Sequence, residues 1–120
     1  MSGGGCQNIN TLAKARLIAQ AASARKAHDI KILDLRRLAN FTDYFVLASG
    51  DSAPQLRAIT DQVVQDFRAK KLRRPRREGS ERGGWVLIDC GDVIAHIFHT
   101  TTRDYYQLEN LWGDAPCETL

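Results

Sequence analysis

The sequence predicts an α/β fold in which helices pack on a mixed β-sheet of about five strands. Two stretches, one near the N-terminus and one in the middle, have apolar residues at helical spacing. Between and after them lie short runs rich in Val, Ile, Phe and Tyr, which is typical of strands. The chain has 120 residues, 43% hydrophobic and 26% charged, which suits a single globular domain.

The first helix is predicted over residues 11–26, with Asn8 or Asn10 as its N-cap. Its apolar stripe is rich in alanine, which permits close approach to a sheet. Residues 30–35 follow as a strand with apolar side chains on both faces. Residues 44–49 are almost wholly apolar, so we expect a central strand that is covered on both faces.

The second helix has the clearest start signal in the chain. Ser52 and Gln55 have the spacing of a capping box, and Pro54 lies in the first turn. The helix is predicted to continue to about residue 70, with apolar residues at helical spacing throughout. Residues 76–78 are predicted to form a short edge strand, followed by a polar loop over residues 79–84.

Residues 85–99 predict a hairpin with a tight turn at residues 90–92. With an even-length loop, facing residues have numbers of opposite parity, so the side chains form two sets. The first set is wholly apolar and is predicted to face the core: Val86, Ile88, Cys90, Val93, Ala95 and Ile97. The second set is mixed: Trp85, Leu87, Asp89, Ile94, His96 and Phe98. It fits either a recognition face or a second core face under a helix.

The domain organisation is predicted as a flexible leader over residues 1–10, one domain over 11–116 and a tail over 117–120. Within the domain, short helical turns are predicted over residues 103–106 and 108–112. The leader has neither the charged nor the apolar segment of a secretory signal, and no apolar run approaches the ~20 residues that span a bilayer. The three cysteines have no metal-ligand spacing and form no complete disulfide set. These features favour a cytoplasmic protein without a membrane contact.

No catalytic residue, metal site or cofactor motif is predicted. Residues 49–52 join a strand to a helix start, where anions bind, but they lack the glycines of a dinucleotide loop and the lysine of a P-loop. A plain N-capped turn is therefore the favoured interpretation. Asp89 and Asp92 flank a turn, which is a poor arrangement for a magnesium site, and His96 and His99 point to opposite faces of a strand. The sequence favours a binding protein over an enzyme.

One segment concentrates the positive charge. Six cations lie within eight residues: Lys70, Lys71, Arg73, Arg74, Arg76 and Arg77. Outside this run, 11 of the 17 Lys and Arg residues remain against 14 Asp and Glu residues, so the rest of the chain is mildly acidic. The run fits a solvated loop or a contact with RNA phosphates. It has no interleaved aromatic residues, so base stacking is not predicted.

Several different short motifs are spread along the chain from about residue 11 to residue 116. In order they are DYFV at 43–46, SGDS at 49–52 with Gln55 and Ala58-Ile59, WVLID at 85–89 and GDVIAHIF at 91–98. The C-terminal part adds Arg103, Tyr105-Tyr106, Leu108-Glu109 and LWGDAP at 111–116. Together these motifs resemble the ribosomal silencing factor family, also called RsfS or Iojap. Ala95, where a larger β-branched residue is usual, and the dense basic run are departures from the family pattern.

The resemblance implies a mixed-sheet fold similar to nucleotidyltransferase domains but without their catalytic carboxylates. It implies a translational repressor that binds the large ribosomal subunit through protein fourteen of that subunit. There it blocks the small subunit from joining when nutrients are limited. The resemblance also implies a homodimer when the protein is free. Contact of the basic run with ribosomal RNA would be an addition to this pattern.

The resemblance places the partner-binding residues on the second face of the hairpin and in the C-terminal segment. They are Trp85, Leu87, Asp89, Asp92, His96, Arg103, Tyr105, Tyr106, Glu109 and Trp112. Trp85 and Tyr105 are predicted as apolar anchors. The acidic members are predicted to meet cations, since ribosomal proteins are basic. For Tyr106 and Trp112 we favour packing of the last helix on the sheet. His96 stays undecided between cover and contact.

Two other functions stay open on the sequence alone. One is a nucleotidyltransferase-like protein that binds a nucleotide near Gly50 and Asp51. The other is an RNA-binding module that uses the basic run, for which the density of Lys and Arg is the only requirement.

Overall fold

The computed structural model describes residues 10–38, 40–101 and 116–119. These residues form two helices and six strands, and the six strands make one mixed sheet. In chain order the elements are α1 (Thr11–Ala24), β1 (His28–Asp34), β2 (Tyr44–Gly50), α2 (Ala53–Ala69), β3 (Arg76–Ser80), β4 (Trp85–Asp89), β5 (Val93–His99) and β6 (Cys117–Thr119). The strand order is β3-β4-β5-β2-β1-β6, with β2 and β5 parallel and all other neighbours antiparallel. The predicted α/β fold is confirmed. Neither described helix is long and apolar enough to cross a membrane.

Strand β6 is one more than the about five strands predicted, and it lies in residues that were assigned to a tail, 117–120. Strand β6 instead pairs antiparallel with β1. Its Glu118 is also held by α1, since a guanidinium nitrogen of Arg16 lies 3.0 Å from the carboxylate. A strand of three residues is too short to show the two-residue alternation from which strands are predicted, so its pairing decides its structure.

Both helices pack on the same face of the sheet and form the main core with it. The buried helix residues include Ala15, Ile18, Ala19 and Ala22 of α1 and Leu56, Ile59, Val63 and Phe67 of α2. The apolar set predicted for the hairpin lies in this core, with Val86, Ile88, Val93, Ala95 and Ile97 fully buried. Cys90 packs at its margin, where burial raises the pKa of the thiol to about 12. The predicted core face is confirmed.

A smaller second core lies on the opposite face of the sheet. Its buried members are Leu33, Leu35, Phe45, Leu47 and Phe98, and neither α1 nor α2 contributes to it. Trp85 and Ile94 are half-buried and pack against it. The second set of hairpin residues is therefore divided, with Phe98 and His96 buried and the others half-exposed.

The hairpin has the register that an even-length loop requires. Trp85 faces Phe98, and Asp89 faces Ile94. The Cys90 N–H donates to the Val93 carbonyl at 2.8 Å, which leaves two residues in the loop. The first of them, Gly91, has a φ of +90°, in the region that favours glycine.

The helix starts are capped as predicted, with one change. Asn10 accepts a hydrogen bond from Ala13 N–H at 2.7 Å, and Ser52 accepts from Gln55 N–H at 3.2 Å. The side chain of Gln55, however, accepts from the N–H of Asp51, the residue before the cap, at 2.7 Å. Its amide also donates to the carbonyl of Lys26 at 3.0 Å, which ties the end of α1 to the start of α2.

Both helices end in a Schellman motif with a lysine in the left-handed conformation. Lys26 after α1 has a φ of +65°, and Lys71 after α2 has a φ of +58°. The next residue donates back into the helix in each case, and Leu72 N–H reaches the Phe67 carbonyl at 2.9 Å. The backbone that leaves α2 therefore has a fixed direction where it enters the basic run.

Candidate functional site

The indole of Trp85 and the imidazole of His96 are joined by a hydrogen bond on the second face of the sheet. Trp85 Nε1 donates to His96 Nδ1 at 3.2 Å. Because Nδ1 accepts, the neutral imidazole carries its proton on Nε2. The indole has only one donor, and it is used inside the chain. Trp85 can therefore offer a partner its ring but not its N–H.

The side chain of His96 is buried, which is one of the two positions that the sequence left open for it. Its exposed fraction is 5%, and its ring centroid lies 4.5 Å from that of Phe45 and 5.9 Å from that of Phe98. Burial lowers the pKa of His96 to about 4, so the ring is neutral at physiological pH. Its Nε2 has no hydrogen-bond partner among the described residues. His96 therefore supports the ring of Trp85 from below, and its contact with a partner stays a prediction.

We expect replacement of His96 by Phe to make stability less sensitive to acid. The His96 pKa is about 4 in the folded chain and about 6.5 in an unfolded one. The unfolded state therefore binds more protons between these values, and stability falls as the pH drops from the upper value through the lower. The full difference corresponds to about 3 kcal/mol. Urea unfolding of both proteins, from about pH 7 to pH 4, measures the effect.

The matched control is His99→Gln, since His99 is half-exposed and lies outside both cores. This variant should keep the acid sensitivity of the wild-type chain. If His96→Phe lost stability in acid as steeply as His99→Gln, the buried neutral state of His96 would be wrong.

Trp85 is half-buried, and its ring centroid lies 5.0 Å from that of Phe98. Leu87 and Asp89 follow on the same side of β4 and are also half-buried. Strand β3 lies close beside this strand. Gly79 of β3 has a φ of +83°, and a Cβ there would clash with the carbonyl oxygen of Trp85. The glycine thus permits the pairing that holds β4 between two neighbours.

The two carboxylates at the hairpin turn have partners within the chain. Asp89 accepts from Gly91 N–H at 2.9 Å. Asp92 accepts from Thr11 Oγ1 at 2.8 Å and pairs with Lys14 Nζ at 2.7 Å. Burial acts to raise the pKa of Asp92, but the bonds from Lys14 and Thr11 together outweigh it, and the pKa lies below its usual value. Asp92 therefore joins α1 to the hairpin, an internal role that the sequence did not predict.

We expect Asp92→Asn to lower the free energy of unfolding by about 1 kcal/mol near pH 7, because the ion pair with Lys14 is lost. The folded pKa of Asp92 is lowered, so this stabilisation is present above the unfolded pKa of about 3.9 and is lost as the pH falls through the folded pKa. Urea unfolding near pH 7, and again at a pH well below about 3.9, measures this contribution. A double-mutant cycle with Lys14→Met isolates the pair, and a coupling energy near zero would contradict it.

The turn between β2 and α2, where an anion site was considered, is occupied by groups of the chain itself. The Asp51 N–H donates to Gln55 Oε1, and the Gln55 N–H donates to Ser52 Oγ. The Asp51 carboxylate lies in this turn, where it accepts from Thr100 Oγ1 at 3.0 Å and contacts His28 Nε2 at 3.0 Å. These are the bonds of a plain N-capped turn. In the described part of the chain, no group of three or more His, Cys, Asp or Glu residues is arranged to hold a metal ion.

The basic run has two parts with different electrostatic surroundings. On β3, Arg77 pairs with Glu81, and Arg76 lies 3.7 Å from Glu78. The four cations before β3 are exposed, and none forms an ion pair with a described residue: Lys70, Lys71, Arg73 and Arg74. Within the basic run, these four can meet a polyanion without breaking an ion pair to another described residue.

The structure brings together part of the predicted site. Trp85, Leu87 and Asp89 lie on one strand, as predicted. Asp92 and His96 lie on the same hairpin and bond within the chain. The five predicted members of the C-terminal segment lie outside the described residues, as do the helical turns predicted near them: Arg103, Tyr105, Tyr106, Glu109 and Trp112. Phe45, which supports His96, was missed as part of the site. Nothing in the sequence of its strand, which is almost wholly apolar, shows which aromatic residue contacts His96.

Comparisons with known proteins match most of the chain. A family model described as "Ribosomal silencing factor during starvation" matches residues 8–120. A protein of Bacillus subtilis strain 168, named ribosomal silencing factor RsfS, is 37% identical over 105 residues, which is 88% of this chain and 89% of that protein. A protein of the same name from Halalkalibacterium halodurans is 38% identical over 105 residues, covering 88% and 90%. A crystal structure of a Chromobacterium violaceum protein superposes with a TM-score of 0.82 at 33% identity, covering 88% of both chains.

Proposed function

The chain belongs to the ribosomal silencing factor family, and on this basis we propose that it represses translation by occlusion. It binds the large ribosomal subunit through protein fourteen of that subunit and blocks the small subunit from joining when nutrients are limited. The observation that carries the proposal is the family match over residues 8–120. The mechanism needs binding alone, with no catalytic step and no cofactor.

The binding surface that we propose is centred on Trp85. Its half-buried ring is fixed by the hydrogen bond to His96 and by the contact with Phe98. A tryptophan that is already immobilised loses little side-chain entropy on binding, and tryptophan is enriched among the residues that dominate interface energies. His96 acts as a positioning residue for this ring.

Polar contacts complete the proposed surface. Asp89 is half-exposed beside Trp85 and Leu87 on β4, where it can meet a cation of a basic ribosomal protein. Asp92 is 39% exposed in spite of its pair with Lys14, so it adds negative charge to the same end of the hairpin. The C-terminal residues extend the surface: Arg103, Tyr105, Tyr106, Glu109 and Trp112. Tyr105 is the second apolar anchor of the proposal.

The setting of this function is the cytoplasm, where the free protein forms a homodimer. Nucleotidyl transfer is not proposed, because the turn at Gly50 and Asp51 carries a carboxylate that opposes a phosphate. A calorimetric titration with ATP and magnesium should give no heat of binding.

The proposal is tested by centrifugation of the purified protein with separated large subunits, and by a pull-down with isolated protein fourteen. We expect it to comigrate with both and not with small subunits. A protein that comigrates with neither the large subunit nor protein fourteen would overturn the proposal.

A further inference from the structure

Four exposed cations at the end of α2 form a surface that the proposed contact with protein fourteen does not use. We call Lys70, Lys71, Arg73 and Arg74 the basic shelf. None of them pairs with a described acidic residue, whereas both cations of β3 lie beside glutamates. The shelf also stands out against the rest of the chain, which is mildly acidic. Its positive charge is thus concentrated in one place and is not neutralised within the described part of the protein.

The basic shelf is built on ordered backbone. The Schellman motif fixes Lys71, and the Leu72 side chain packs against the main core. Pro75 is buried, and from Arg76 onwards the chain is paired to β4. The backbone is therefore held both before the shelf, by the end of α2, and after it, by the pairing of β3 with β4. This anchoring lowers the entropy that is lost on binding and distinguishes the shelf from a loosely solvated charged loop.

A cavity of about 590 Å³ opens beside the basic shelf. Arg73, Arg74 and Arg76 line it together with Lys14, and Asp89 and Asp92 line it from the hairpin turn. Since these two carboxylates oppose a phosphate, we place the RNA contact on the exposed side of the shelf and not inside the cavity. The exposed guanidinium groups of Arg73 and Arg74 can hold phosphate oxygens there through paired hydrogen bonds.

We propose that the basic shelf binds the phosphate backbone of a ribosomal RNA helix when the protein is on the large subunit, an inference that rests on the function proposed above. Arginine and lysine recognise phosphates without reading sequence. No aromatic residue is interleaved among the four cations, so stacking of single-stranded bases is not part of the contact. Helical RNA is bound mainly through its phosphates and 2′-hydroxyls, which matches a surface of this composition.

The test variant replaces one lysine and one arginine of the basic shelf, Lys71→Asn together with Arg74→Gln. Asparagine is chosen at position 71 because it tolerates the left-handed conformation of Lys71. The matched control is Lys26→Asn with Arg57→Gln. Lys26 occupies the same position of the Schellman motif after α1, and Arg57 is exposed on α2. Both variants lose two positive charges, so they differ only in where the charge is removed.

Affinities are measured from about 50 to 200 mM KCl for three ligands: large subunits, isolated protein fourteen, and an RNA duplex of roughly 16 base pairs. For large subunits and for the duplex, the test variant should have a salt slope smaller by about 1 to 2 than that of the control, because each lost phosphate contact removes about 0.7 to 0.9. Its affinity for large subunits at the lower salt should fall by about 10-fold or more. Its affinity for protein fourteen should equal that of the control.

Each other outcome overturns a specific claim. Equal slopes for the two variants on both RNA-containing ligands would reject the RNA contact and leave the function intact. Weaker binding of the test variant to protein fourteen would show that the basic shelf contacts a protein instead. If the wild-type chain bound the duplex through the shelf but neither large subunits nor protein fourteen, the proposed function would fail and the RNA-binding surface would stand.

Discussion

The variant Trp85→Ala should lose about 100-fold in affinity for large subunits and for isolated protein fourteen. Removal of a central interface tryptophan costs roughly 2 to 4 kcal/mol, and about 2.7 kcal/mol corresponds to that loss. The effect should be large because the ring is already held by His96 and Phe98, so binding gains contact area without having to order the side chain. Equilibrium binding by fluorescence anisotropy or by pelleting measures it.

The domain should stay folded when Trp85 is removed, because the side chain is half-buried and both neighbours of β4 remain paired. Circular dichroism and urea unfolding check this point. The control Trp85→Phe keeps an aromatic ring but not the donor to His96, so we expect an affinity between those of wild type and Trp85→Ala. A folded Trp85→Ala protein that binds as tightly as wild type would remove Trp85 from the interface.

The variant Phe98→Ala should lower the free energy of unfolding by about 3 to 5 kcal/mol. Phe98 is fully buried in the second core, where its ring lies against both Trp85 and His96. Its loss leaves a cavity beneath the proposed interface, so binding should weaken as well. Urea unfolding near pH 7 measures the change in stability.

The matched control is Phe41→Ala, because Phe41 is an aromatic residue on the same side of the sheet but is 58% exposed. It should cost about 1 kcal/mol or less. If the two phenylalanine variants lost the same stability, the second face would not contain a core. The hairpin would then depend on the helical face alone.

Much of the fold could be predicted from local patterns. The two-residue period of the hairpin correctly separates the residues that face the helices, and the almost wholly apolar sequence of β2 indicates its central place. Ser52 was predicted as a cap, and Asn10 as one of two candidates with Asn8, because capping depends on residues three positions apart. These features depend on neighbours in sequence, which a single chain displays directly.

The features that could not be predicted depend on residues far apart in sequence. Lys14 meets Asp92 only after α1 has packed against the hairpin, so no local pattern shows the pair. The burial of His96 depends on Phe45, which lies on a different strand. Strand β6 is formed by its pairing with β1 and has too few residues to show a period. For the candidate site, the sequence correctly placed Trp85, Leu87 and Asp89 on one side of a strand but did not show what holds Trp85 in place, and their contact with a partner stays a prediction.

The central claim is that the protein occludes the large subunit through the face centred on Trp85. It is tested most directly by the yield of joined ribosomes from separated subunits in a sucrose gradient, with increasing amounts of wild type or Trp85→Ala. We expect wild type to lower the yield in proportion to its occupancy of the large subunit, and Trp85→Ala to leave the yield unchanged. If large subunits saturated with the wild-type protein joined small subunits at the full yield, occlusion would be contradicted.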